Sequence, residues 1–206
     1  MTNRCNTALC LLVFTAGLGA VAAGAEDAAQ EYELYYARDC GVSQSASQVG
    51  RDTEIAFKRE PAYAGEQVLR SAVVVGDTRE EILGLAYDWE AKRLYLDRNR
   101  NLDLTDDLEI VSEDRHDGFM HEVNGVEIVL EQDGVVVPYL VDFAFYSFGY
   151  WAARVRSGWR GDVSLAGETY VFQVGDNLNG LIDHYDEFRF RARTPKDDQG
   201  THQAFD

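Results

Sequence analysis

The sequence predicts an all-β fold, an antiparallel sandwich or partly open barrel with acidic loops between its strands. Three observations predict it. Apolar residues alternate with polar ones over short runs. Turn residues recur between those runs. No segment sustains the 3.6-residue apolar period of an amphipathic helix.

Taken in order, Tyr32, Leu34 and Tyr36 alternate within residues 31–38 and predict a first strand. Residues 41–50 are rich in Ser and Gln and read as a loop, and residues 54–58 alternate again. After a turn at residues 61–65, residues 69–75 predict a strand closed by Gly76-Asp77. Residues 81–88 and 92–96 flank Trp89-Glu90-Ala91 as a hairpin. Asn124-Gly125, both tolerant of positive φ, predicts a hairpin turn between residues 120–123 and 126–130. Asp133-Gly134 repeats the device before residues 135–141. Pro138 cannot donate to a ladder, so that strand is expected at an edge or bulged there.

Residues 143–155 are densely aromatic. Tyr146, Phe148 and Tyr150 share one strand face, and a bulge is expected near Gly149. At this spacing the rings read as core rather than as the wall of a sugar or peptide groove. Ala166-Gly167 predicts a further hairpin, and residues 188–191 a last strand. A short helix is allowed at residues 78–82 or 105–109.

The N-terminus reads as an export signal. Arg4 is the charged start, residues 8–21 are apolar but short for a membrane span, and Ala23-Gly24-Ala25 is a small-residue cleavage site. The expectation is residues 1–25 as signal peptide, 26–196 as one β-domain and 197–206 as a flexible tail, in the periplasm or secreted. No Pro/Gly/Ser-rich linker divides the chain.

The net charge is −17, a surface that repels nucleic acid and anionic membrane and attracts divalent cations. After signal cleavage no stable membrane insertion is expected. Cys40 would then stand alone, so no internal disulfide can form, and burial is its expected state.

The chemistry concentrates between residues 97 and 107. Asp97, Asn99, Asn101 and Asp103 place oxygen-bearing side chains at every second position, followed by Thr105, Asp106 and Asp107. Several oxygens converging from a short stretch suit a hard cation, and Ca2+ is the expected cofactor. Against the EF-hand loop, Asp97, Asn99 and Asn101 fall on ligand positions 1, 3 and 5, and Thr105 on 9. Leu102 stands where the turn wants Gly, and Leu108 where it wants a bidentate acid. The alternative is a ladder of Asx turns with no metal. A second stretch aligns with the first. Asn177 falls on Asn99, Asn179 on Asn101, Asp183 on Thr105 and Asp186 on Leu108, and Gly180 supplies the turn residue. The pair suggests a weak internal repeat.

Residues 94–107 resemble the L-Y-x-D-x-N-x-N-G-D-L-T-D-D signature of uncharacterised exported all-β bacterial proteins. The D-N-x-N-G stretch at residues 176–180 is similar to a second feature of that group. The resemblance implies a secreted protein with calcium-type loops. The first loop is also similar to dockerin and EF-hand loops, without their paired helices.

Elsewhere the chain lacks G-x-S-x-G, a P-loop and a dinucleotide fingerprint. His116 and His121 lack a third ligand at zinc spacing and read as solvated loop histidines. The expected function is a calcium-stabilised binding or structural module of the cell envelope, with an envelope polymer or protein as partner. The alternative is a carboxylate-dependent hydrolase of an envelope polysaccharide or similar polymer.

Overall fold

A computed structural model of the chain describes residues 10–14, 30–49, 55–76, 81–115, 118–132, 135–178 and 188–194. The described residues form fourteen strands and no helix, all paired antiparallel into three sheets. The first sheet orders β1 (Cys10–Phe14), β2 (Gln30–Ala37), β12 (Gly158–Leu165), β13 (Glu168–Gly175) and β14 (Phe188–Ala192). The second orders β3 (Gln44–Ser45), β11 (Trp151–Val155), β10 (Val135–Tyr146), β9 (Met120–Gln132) and β8 (Glu113–Arg115). The third orders β4 (Val68–Val74), β5 (Ile82–Asp88), β6 (Arg93–Leu96) and β7 (Ile110–Val111). None closes into a barrel.

The second and third sheets share one core. Val73, Leu83, Leu85, Tyr87, Leu94 and Leu96 meet Val123, Ile128, Val141, Phe143, Phe145 and Trp151. Period-2 alternation puts these side chains on the inner faces. Burying each contributes roughly 1.5–3 kcal/mol over leaving it in water, so this shared face dominates stability. The first sheet keeps a smaller cluster of Leu34, Trp159, Val163, Phe172 and Val174. Tyr36 packs against both clusters. β5 is buried on both faces, because Ala86 on its outer side meets Tyr95 and Leu104. Phe57 lies so close to Gly84 that a Cβ there would come within 2.7 Å of its ring.

Asn124-Gly125 is not a hairpin turn. β9 runs through it, and the two residues oppose Asp142 alone in a bulge where Gly125 takes φ 70° and donates its N–H to Asp142 Oδ1 at 2.7 Å. The reason is parity. His121 and Val123 point inward, as do Val126, Ile128 and Leu130, and only one extra residue between 123 and 126 keeps both sets on the core face.

The bulge expected near Gly149 is instead a turn, with Gly149 at φ 81° and Phe145 pairing Trp151 across it. Residues 55–58 form no strand; Arg59 makes one parallel bridge to Asp103. Residues 105–109 are turn and coil rather than helix, and residues 78–80 lie outside the described residues.

The hairpins at residues 89–92 and 166–167 form as expected, with Asp88 pairing Arg93 and Leu165 pairing Glu168. Asp133-Gly134 lies outside the described residues, but Gln132 pairs Val135 on either side of it. Pro138 sits in an interior strand, yet β11 pairs only residues 141–145, so β10 is locally an edge there. Cys40 is fully buried. No helix among the described residues is long and apolar enough to cross a membrane.

Candidate metal loop and aromatic pocket

The acidic loop joins β6 to β7. Asp97 leaves the sheet buried, with its N–H donated to Gly84 O at 2.9 Å. Its Oδ1 accepts the Asn101 N–H at 3.0 Å and its Oδ2 the Leu102 N–H at 2.9 Å. Those bonds hold the chain in a tight turn, with Arg100 at φ 56° and Leu102 at φ 65°. Leu102 thus takes the left-handed conformation that the EF-hand gives to Gly at its sixth position, at a cost of about 1–2 kcal/mol for a residue with a Cβ.

Alternate side chains then close successive Asx turns. Asn99 Oδ1 accepts from Asn101 N at 3.1 Å, Asn101 Oδ1 from Asp103 N at 2.6 Å, and Asp103 Oδ1 from Thr105 N at 3.0 Å. The ladder that needs no metal is therefore present. The Asn99 and Asn101 amides both donate to Asp106 Oδ2, at 3.3 and 2.8 Å.

Asp107 sits behind them with Oδ2 buried and unpartnered. Burial raises its carboxyl above the ordinary value, against the Arg98 N–H that stabilises its charge; Asp106 and Asp97 add repulsion. Asp97, Asn99, Asn101, Asp106 and Asp107 therefore come together. Asp103, partly buried, is engaged instead by Thr105 and by Arg59, 3.6 Å away. The Thr105 hydroxyl and N–H, helped by Arg59, hold its carboxyl below the ordinary value.

A second segment clamps the loop. Lys58 N donates to Leu102 O at 2.8 Å, Leu104 N to Arg59 O at 3.1 Å, and Lys58 Nζ to Asn101 O at 2.8 Å. Leu104 is buried beneath with Phe57 and Tyr63. Lys58 and Arg59 carried no sequence signal of this role, because the contact spans over forty residues of chain.

Of the second stretch, Asn177 is half-buried, and Asn179, Asp183 and Asp186 lie outside the described residues. The buried Asp176 accepts the Leu178 N–H at 2.8 Å, with Leu178 at φ 80°. Gly76 N donates to Leu178 O, and Glu81 pairs with Arg100. Leu178 and Arg100 thus dock on the two ends of the β4–β5 connection. Among the described residues no three His, Cys, Asp or Glu side chains converge as a metal site by themselves, so a cation would draw on the amide oxygens of Asn99 and Asn101. An all-oxygen set with one orphaned buried carboxylate oxygen fits a hard cation.

His121 is not a solvated loop histidine. It is buried on β9, stacked on Trp89 at 4.2 Å, with Nδ1 2.5 Å from Tyr87 Oη. Burial lowers its pKa, against the pull of Asp114. Every proton finds one acceptor when His121 Nδ1–H donates to Tyr87, Tyr87 to Ser112 Oγ, and Ser112 to Lys92 O. Burial also raises the Tyr87 hydroxyl to about 12. His116 lies outside the described residues.

Beside this chain of bonds is a pocket of about 180 Å3, lined by Gln67, Leu69, Tyr87, Trp89, Tyr146 and Tyr150 among others. The aromatic stretch thus divides. Phe143, Phe145 and Trp151 are core, whereas Phe148 and Tyr150 are exposed. The signal for this was Gly149, a turn residue that sends alternate rings to opposite faces.

No family model, curated protein or solved structure matches the chain.

Proposed function

We propose that the chain is an exported β-domain whose loop at residues 97–107 is stapled by Ca2+, and that it serves the cell envelope as a binding or structural module. One observation carries the reading. The loop adopts the tight turn of a calcium loop without the glycine that would ease it, and it holds Asp107 Oδ2 buried and unpartnered beside Asp97 and Asp106. Asp97, Asn99, Asn101, Asp106 and Asp107 would hold the ion, whose contribution is to convert repulsion among three acids into coordination. The resemblance to exported proteins with calcium-type loops points the same way. The pocket lining carries no carboxylate pair, so binding is favoured over hydrolysis.

Extracellular modules bind calcium at roughly 10⁻⁴–10⁻³ M. At ~1 mM ion and a Kd of ~10⁻⁴ M, linkage adds about 1.4 kcal/mol. That is less than one buried leucine contributes, so calcium adds modestly to stability rather than creating the fold. The melting midpoint should rise by roughly 3–6 °C in calcium over magnesium at equal ionic strength. Asp106→Ala should abolish that rise, since Asp106 is exposed and its loss leaves the β-sheets intact. Equal midpoints in calcium and magnesium would leave the Asx ladder as the whole explanation of the loop.

A further inference from the structure

The geometry points to the pocket between the 89–92 turn and the β10–β11 hairpin as a binding site for a methylated ammonium group, such as the trimethylammonium head of choline. This goes beyond the module reading and does not depend on calcium at the loop.

The lining is aromatic and held in place before any ligand arrives. Tyr87 stacks on Phe145 with centroids 3.8 Å apart and planes 5° apart, and its hydroxyl is fixed by Ser112 and His121. Trp89 stands at 79° to Tyr87, backed on one face by the imidazole. Tyr146 and Tyr150 lie across the β10–β11 turn with centroids 5.4 Å apart and planes tilted by 44°, joined by the Tyr146 N–H to Tyr150 O bond. All five rings border the pocket. Rings fixed in this way lose little freedom on binding.

Size and polarity select the ligand. About 180 Å3 is below the ~300–1,000 Å3 that takes a whole small ligand, so the site fits one group rather than a molecule. Apart from phenol hydroxyls, the hydrogen-bonding side chains in the lining are Gln67 and the Trp89 indole N–H, a donor only, and the Tyr87 hydroxyl is already engaged. A sugar ring would leave several hydroxyls unpaired there, at a cost of ~1–3 kcal/mol each. An anion is opposed by the net charge of −17. A quaternary ammonium needs no hydrogen bond. It gains from ring faces within ~6 Å and from the protein's negative field, to which Asp88 contributes next to Tyr87, Asp114 there being paired with Lys92. Phe119 and Phe148 extend the ring surface outside the pocket, tilted together at 5.8 Å.

The test is a titration of the full chain, followed by isothermal calorimetry. Choline chloride is compared with sodium chloride at equal ionic strength and with 3,3-dimethyl-1-butanol, the uncharged carbon isostere. Saturable choline binding, with the isostere at least about tenfold weaker, is the expected result. Trp89→Phe should weaken choline several-fold and Tyr150→Ala about tenfold, with melting midpoints confirming that each variant folds. Phosphatidylcholine vesicles against phosphatidylglycerol vesicles separate a lipid-borne head group from the free cation: choline binding with vesicle binding assigns the lipid source, and choline binding alone the free cation. Equal binding of choline and the isostere, no binding of choline, tighter binding of N-acetylglucosamine, or vesicle binding that choline does not compete would each overturn the assignment.

Discussion

Asp97 shows how much one side chain can carry. It is fully buried, and both its oxygens are committed to backbone N–H groups of its own loop. An amide in its place keeps one acceptor and presents a donor to an N–H. Asp97→Asn should therefore cost about 1–3 kcal/mol by urea titration, with or without calcium. An unchanged midpoint would show that the two bonds do not form in solution. His121 gives a pH test with a definite sign. Its folded pKa is depressed by burial, Asp114 pulling it up and Lys92 pushing it down. The unfolded chain therefore takes up the proton more readily. This site contributes no pH dependence well above the unfolded value of ~6.5, and stability falls as pH drops through that value toward the folded one. In thermal melts between pH 7.5 and 5, His121→Asn, which keeps a donor near Nδ1, should show a shallower fall than the parent. Parallel curves would mean that His121 protonates equally in both states. The oxygen-rich stretch was legible at this scale because its residues are local in sequence. Lys58, Arg59 and the Trp89–His121 stack were not, since distant strands bring them together.

At the scale of single strands, β12 is fitted by what it lacks. A Cβ on Gly158 would lie 2.1 Å from Val174 O, and one on Gly161 2.4 Å from Glu33 O. Both neighbours are backbone, which cannot swing aside. Gly161→Ala should destabilise by more than the ~1–3 kcal/mol of ordinary overpacking, because relief requires β2 and β12 to part. Equal denaturation midpoints for the variant and the parent would contradict that close approach. Alternation and turn residues made most strands readable. The Asn124-Gly125 bulge was hidden because turn and bulge ask for the same positive φ, and only the parity of Val123 and Val126 tells them apart. The Gly149 turn was missed for the converse reason: an unbroken aromatic run outweighed a single glycine.

For the whole molecule, the all-β class and the antiparallel pairing were visible in the sequence. The division into three sheets was not, because sheet order is set by pairings between distant strands, such as β2 with β12. The face shared by the second and third sheets carries most of the apolar burial, and the loop at residues 97–107 lies between two strands of the third sheet. Calcium at the loop should therefore raise the melting midpoint while leaving the far-UV circular dichroism spectrum unchanged. A coil spectrum that became β only with calcium would overturn that division of labour.

β1 has a consequence in time rather than in space. Cys10–Phe14 lies in antiparallel register on Gln30–Leu34, so five residues from the apolar run of the proposed export signal also form the outer strand of the first sheet in the uncut chain. Under the proposed export, sheet formation and recognition by the export machinery would compete for the same five residues. A precursor that folds early hides its own address; one kept unfolded until it crosses the membrane does not. Were the proposed signal cut away, β2 would be an outer strand, with Glu31 and Glu33 as charges that discourage another chain from pairing there. Precursor refolded before exposure to signal peptidase should be cut more slowly than precursor added straight from denaturant. Equal rates would show that the leader stands clear of β2 and that no such race is run.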